Sequence, residues 1–181
     1  MPRQLFVFDP PERFVAGTVG EPGDRTFYLQ ATGTGRTVSV VLEKGQVALL
    51  AEKVGQLLEE VRRQGIDVPV GPPRELEDVA PLDSPVEEEF RVAALALGFE
   101  VGDGMVVIEA QAATDGQVPE LDDNTADGPD TLRVRITPHA ALAFAARAAR
   151  VVDAGRPPCP LCGLPLDPGG HVCPRMNGYR R

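Results

Sequence analysis

Thr131-Leu-Arg-Val-Arg-Ile-Thr-Pro138 reads as a strand that runs straight into a helix. Leu132, Val134 and Ile136 alternate with Arg133 and Arg135, which is the period-two pattern of a strand with one buried face. Thr137 then offers a hydroxyl at an N-cap and Pro138 a preset first turn, so a helix begins there. Ala141, Phe144, Ala145, Ala148 and Val152 recur at helical spacing to about Asp153, where Gly155 and Pro157-Pro158 end the run. An ungapped 94 positions earlier (131 less 37), Thr37-Val-Ser-Val-Val-Leu-Glu-Lys44 makes the same move. Val38, Val40 and Leu42 face inward, and a helix over Gln46–Gln64 follows with the stripe Val47, Leu50, Val54, Leu57, Leu58 and Val61. Glu59 and Arg63 form an i,i+4 pair on it, and Gly65 is the stop.

Working outward, short strands are predicted at Gln4–Phe8 and Arg13–Val19. Arg25–Ala31 is a third, with Phe27, Leu29 and Ala31 on one face and Thr26, Tyr28 and Gln30 on the other. Glu89–Val101 and Met105–Ala112 form a hairpin through Gly102-Asp103-Gly104. The economical reading is an α+β domain over residues 1–155 with an internal strand-strand-strand-helix duplication. Its halves span about 1–66 and 87–155, and one antiparallel-rich sheet carries both helices on a single face. The opposite face would present Thr26, Tyr28, Gln30, Arg133 and Arg135 to solvent or to a partner. Residues 67–86 read as a Pro- and acid-rich linker or surface arm: Ile66–Pro85 holds five prolines and five acidic residues. Thr114–Asp130, with six acids, reads as a solvated loop; it lacks the Asp-x-Asp-x-Asp-Gly pattern of a calcium loop.

The chain is an ordinary domain plus an appendage: 181 residues, 43% apolar, 37 of them Gly or Pro. A net charge of −9 repels polyphosphate backbones and anionic membranes, and 5% aromatics with no Trp disfavour a base-stacking surface. The charge is uneven. From Arg156 onward four Arg stand against one Asp, leaving −12 on residues 1–155. The longest apolar runs fall far short of the roughly 18 residues that span a bilayer. Met1-Pro2-Arg3-Gln4 runs straight into a short apolar strand, so a cytoplasmic protein with reduced thiols is expected.

All three cysteines lie in one segment, Cys159-Pro-Leu-Cys162 followed after eight residues by His171-Val-Cys173. Thiolate sulfur with imidazole is the donor set of Zn²⁺, and four such ligands close a tetrahedral shell. Residues i and i+2 of an extended chain face the same side, so His171 and Cys173 reach one ion. Residues 156–181 are therefore expected to be a zinc-knuckle or ribbon-like module with structural Zn²⁺, needed because so short a segment has no core. A thioredoxin-like pair is disfavoured by Pro158 and Pro160. A deaminase-like centre needs a Glu two residues after the His, where Cys173 stands. Unligated cysteines in a disordered tail are the bland alternative.

The tail Cys-Pro-Leu-Cys-Gly-x-Pro-Leu-Asp-Pro-x-Gly-His-x-Cys-Pro-Arg-x-Asn-Gly-Tyr-Arg-Arg and the start Gln4-Leu-Phe-Val-Phe-Asp-Pro-Pro-Glu-Arg-Phe resemble an uncharacterised actinobacterial family labelled as a domain of unknown function or "repeat protein". The resemblance covers the whole chain and implies a cytoplasmic, zinc-bearing protein with no assigned activity.

The leading expectation is a non-enzymatic interaction or adaptor protein with a protein partner, docking through Arg175, Asn177, Arg180 and Arg181 of the tail. The alternative is an enzyme or small-ligand binder with a site between the halves, built from Arg133, Arg135, Tyr28 or His139. RNA binding through the arginine tail is weaker, and no membrane contact is expected.

Overall fold

The computed structural model describes residues 2–155, 158–164, 166 and 171–175. The chain forms β1 (Leu5–Phe8), β2 (Arg13–Val19), β3 (Thr26–Gly33), β4 (Arg36–Leu42), α1 (Lys44–Arg63), β5 (Glu88–Glu100), β6 (Met105–Ala112), β7 (Thr131–Ile136) and α2 (Pro138–Asp153). The architecture is α+β: one seven-stranded mixed sheet, ordered β1-β7-β6-β5-β4-β3-β2, with two helices. Among these strands β1–β7 and β4–β5 pair in parallel and the other neighbours antiparallel. The β4–β5 pair is the seam between the two three-stranded meanders, β2-β3-β4 and β5-β6-β7.

The meanders share one register. Leu29 lies opposite Val40 as Ile108 lies opposite Val134. Gly17 lies opposite Tyr28 as Gly98 lies opposite Val107, and Tyr28 opposite Val41 as Val107 opposite Arg135. In both, the last strand runs straight into a helix whose start is fixed locally. Gln46 Oε1 accepts the Glu43 N–H at 2.8 Å before α1, and Thr137 Oγ1 accepts the Ala140 N–H at 3.1 Å before α2.

The sheet curls. Laid flat, its edge strands β1 and β2 would stand about 29 Å apart, six spacings of about 4.8 Å. The link from Phe8 to Arg13 reaches about 18 Å at most. Closure is visible in side-chain contacts: the Arg36 guanidinium of β4 lies over the Phe6 and Phe8 rings of β1, 5.9 and 5.0 Å from their centroids. The concave face takes both helices, α1 against β5 and α2 against β2 and α1. Leu29, Val40, Val47, Val54, Leu58, Ile108, Val134, Phe144 and Ala148 share one core there. Along α2, Val152 is only half-buried and Arg147 is buried in its stead.

The opposite face departs from expectation. Gln30 and Arg133 are 1% and 3% exposed, Arg135 and Tyr28 are half-buried, and only Thr26 stands in solvent. The two segments read as a linker and a solvated loop cover it. Leu82 of the Pro-rich arm lies on Gly17, and the Asp83 N–H donates to Gln30 Oε1 at 2.8 Å. Leu121 of the acidic loop lies on Gly98, while Arg133 donates to Asn124 Oδ1 and the Asp123 carbonyl, both at 2.7 Å. A strand glycine leaves the gap that each leucine fills, so a segment without periodicity still seats an apolar side chain on the sheet.

Candidate metal centre

Cys159, Cys162, His171 and Cys173 bring one ligand atom each to within 4.8 Å of all the others. Cys159 Sγ and Cys173 Sγ are 3.9 Å apart, and Cys162 Sγ is 3.3 Å from His171 Nε2. Tetrahedral metal bonds of about 2.3 Å to sulfur and 2.0–2.1 Å to nitrogen would separate the ligands by roughly 3.6–3.8 Å. The four donors therefore surround a space of the right size for one ion.

Local sequence builds the first half of the site. The Gly163 N–H donates to the Cys159 carbonyl at 2.8 Å, and the Cys159 N–H to the Leu164 carbonyl at 2.7 Å, which closes the turn around both sulfurs. Gly163 takes φ +75°, a conformation that glycine reaches without strain. The backbone N–H groups of Cys162 and Leu161 point at the Cys159 sulfur and draw its thiol down to about 6. Burial pushes the Cys162 thiol up. The preset turn thus favours thiolate at one ligand, the form that binds metal. Cys159 and Cys173 are buried, and the three cysteines are free of disulfides. Leu161, Leu164 and Val172, interleaved with the ligands, are 48%, 49% and 77% exposed.

The other predicted site residues do not converge. Arg133 Nε meets Glu109 at 2.6 Å within the covered face. Arg135 is held by Glu100 at 2.7 Å, Asp9 at 3.1 Å and Asp103, and these carboxylates raise its pKa further. Tyr28 is half-buried on β3, whereas His139 stands exposed on the first turn of α2. Both arginines are thus paired with carboxylates, and Tyr28 and His139 lie on separate elements. Arg175 is exposed; Asn177, Arg180 and Arg181 lie outside the described residues.

One constellation escaped the sequence reading. Arg13 of β2 clasps Asp78 of the arm, Nε to Oδ2 at 2.7 Å and Nη2 to Oδ1 at 3.0 Å, and Arg147 of α2 donates to Oδ1 at 2.9 Å. Separations of 65 and 69 residues leave no local spacing to detect. The only available signal was an arginine on the apolar face of an alanine-rich helix.

No helix among the described residues is long and apolar enough to cross a membrane. Comparison with curated proteins and with solved structures returned no match. Residues 6–173 match the family described as protein of unknown function (DUF3090); with nearly its whole length matched, the chain belongs to that family.

Proposed function

We propose that this is a zinc protein in which a structural Cys₃His site fixes a C-terminal docking module on an α+β body, and that its role is to bind another protein. The observation that carries this reading is the convergence of Cys159, Cys162, His171 and Cys173 within 4.8 Å. Three sulfurs and an imidazole suit Zn²⁺ above harder cations, and four protein ligands leave no vertex for water or substrate. A closed shell makes a scaffold, and among its described residues Leu161, Leu164 and Val172 stand in solvent beside the ligands. Leucine and valine exposed beside a closed metal shell are costly to leave in water and gain most from a protein surface.

Elemental analysis of the purified chain is expected to give one zinc per molecule, and C162S and C159S to lose it. Material without a bound transition metal refutes the zinc reading. For the docking role, partners captured by the intact protein are compared with those captured by a chain ending at Gly155 and by the triple variant L161S/L164S/V172S. A partner that requires both the module and its apolar trio, with zinc retained in the triple variant, supports docking. Identical partner lists refute it.

A further inference from the structure

Between Val68 and Leu82, both buried, no residue of the arm is buried. In this stretch, the strap Pro69–Pro81, hydrogen bonds to the body gather at Asp78, Ala80 and Pro81, with one more from Arg62 Nη2 to the Pro69 carbonyl at 3.0 Å. Two oxygens of the Asp78 carboxylate take three donors from Arg13 and Arg147. A third oxygen, its main-chain carbonyl, takes Arg147 Nη1 at 2.8 Å and Arg150 Nη2 at 3.4 Å. Arg13 Nη2 also reaches the Ala80 and Pro81 carbonyls at 3.0 and 2.9 Å. Every one of these acceptors belongs to the strap, and the arginines come from β2 and α2. Arg147 is 6% exposed, its Nε bonded to the Ala16 carbonyl at 2.8 Å. Burying a guanidinium on that alanine-rich face is expensive, and an aliphatic side chain would close the same gap without the charge.

Beside the clamp lies a cavity of about 150 Å³ where β2, the end of β7 and α2 meet. Phe14, Phe144, Ile136 and Ala140 give it an apolar wall, Arg13 and Arg147 a cationic one, and Leu76 and Asp78 of the strap close it; Glu12 sits at the rim. An apolar recess with a few converging polar groups is the usual build of a small-molecule site.

We infer that Arg13, Arg147 and Arg150 form a binding site for a phosphate monoester bearing a small apolar group, with Asp78 of the strap as its occupant in cis. Three arginines on three oxygens of one residue match a terminal phosphoryl group, which presents three oxygens on one atom. Side-on bidentate clasping by Arg13 is the strong form of such recognition. The apolar group of the ester takes the recess against Phe14 and Phe144. Binding releases the strap between its anchors at Val68 and Leu82, because the phosphate takes the donors that hold the Asp78 carboxylate, while Arg13 Nη1 keeps Asp83, next to the Leu82 anchor, at 3.1 Å. The site shares no residue with the metal module and stands or falls apart from it.

Phenyl phosphate is the probe. Asp78→Asn, checked for folding by circular dichroism, is expected to bind it about tenfold tighter than the parent, since a self-occupied site lowers apparent affinity by the open fraction. Arg13→Gln and Arg147→Met are expected to lose binding. A second measurement needs no variant. Arg74 lies in the strap, and trypsin cleavage after it, followed by mass spectrometry, is expected to quicken in the parent when phenyl phosphate is added. Equal affinity of D78N and parent, no binding by either, or cleavage that is unchanged or slowed overturns the inference.

Discussion

The two meanders share a register, yet each buries a different polar pair at the same place in it. Gln30 faces Ser39 across β3 and β4, with Nε2 to Oγ at 3.1 Å. Glu109 faces Arg133 across β6 and β7 at 2.6 Å. Positions 39 and 133 are the same 94 apart as the stretches that open the two helices. Where the neutral pair lies, the covering arm needs little from it beyond one N–H into Gln30 and the Asp83 carbonyl accepting Gln30 Nε2 at 3.0 Å. Where the ionic pair lies, the covering loop is built on it. Glu109 takes the Asp122 N–H at 2.9 Å, Gln111 donates to Glu109 at 3.1 Å, and Arg133 holds Asn124 and Asp123. Equivalent backbone therefore tolerates either chemistry, and the segment laid over it decides which.

The largest effect is expected from removing one charge of the ionic pair. Arg133→Met leaves Glu109, 0% exposed, as an uncompensated buried carboxylate and strips the loop of its hold. A loss of about 3–5 kcal/mol is expected in chemical denaturation. Transplanting the first half's pair as E109Q/R133S removes both charges, so it is expected to cost less than R133M alone. A double variant as damaged as the single one would mean that loop attachment, not uncompensated charge, dominates. At the neutral pair Gln30→Leu is expected to cost about 1–3 kcal/mol, because the Ser39 hydroxyl and the Asp83 N–H lose their partner.

The glycines beneath the two covering segments differ by a smaller amount. A Cβ at Gly17 would stand 2.5 and 2.6 Å from Leu82 Cδ2 and Cγ, so Leu82 must leave its seat. At Gly98 only the tip of Leu121 is in the way, and a rotamer change clears it. Gly17→Ala is expected to cost about 1–3 kcal/mol and Gly98→Ala less than about 1 kcal/mol. Equal melting points for the two variants would show that both covering segments sit equally loosely.

Leu82 and Leu121 also mark where the sequence stopped being legible. The strands and helices were readable because each carries its own period: β2, β6 and β7 fall on their expected bounds, and α1 is displaced by two residues at its start. Alternation identifies the non-core face of a strand but not what lies on it. Gln30 and Arg133 thus read as facing solvent or a partner, while an aperiodic segment of the same chain, anchored by Leu82 or Leu121, covers each. The metal ligands were legible because two short spacings suffice to bring them together. The clamp of Arg13, Asp78 and Arg147 was not, since its members meet only after the sheet has curled and the arm has folded back.

Acid separates the two covering segments by a smaller effect still. The Arg13 guanidinium holds the Asp78 carboxyl below its ordinary value, and hydrogen bonds from Thr125 do the same for Asp123. A depressed carboxylate adds stability that is fully present above the unfolded-state value of about 3.9 and is lost as pH falls through the folded-state value. The causes differ in what they report. Arg13 belongs to β2, so the Asp78 contribution vanishes when the arm detaches. Thr125 belongs to the same loop as Asp123, its hydroxyl donating at 2.7 Å and its N–H at 3.1 Å, so that stabilisation can persist in a detached loop. Arg3, in contact at 3.6 Å, and Arg133 of β7 tie Asp123's charge to the body only as lesser contributions. Denaturation curves from pH 7 to pH 3 are therefore expected to show D78N weaker than the parent at neutrality and converging with it below about pH 4. D123N is expected to follow the parent more closely throughout. If D123N flattens the acid limb as much as D78N does, the acidic loop is held by charge to the body in the same way as the arm, and the contrast between the halves reduces to the buried pair alone.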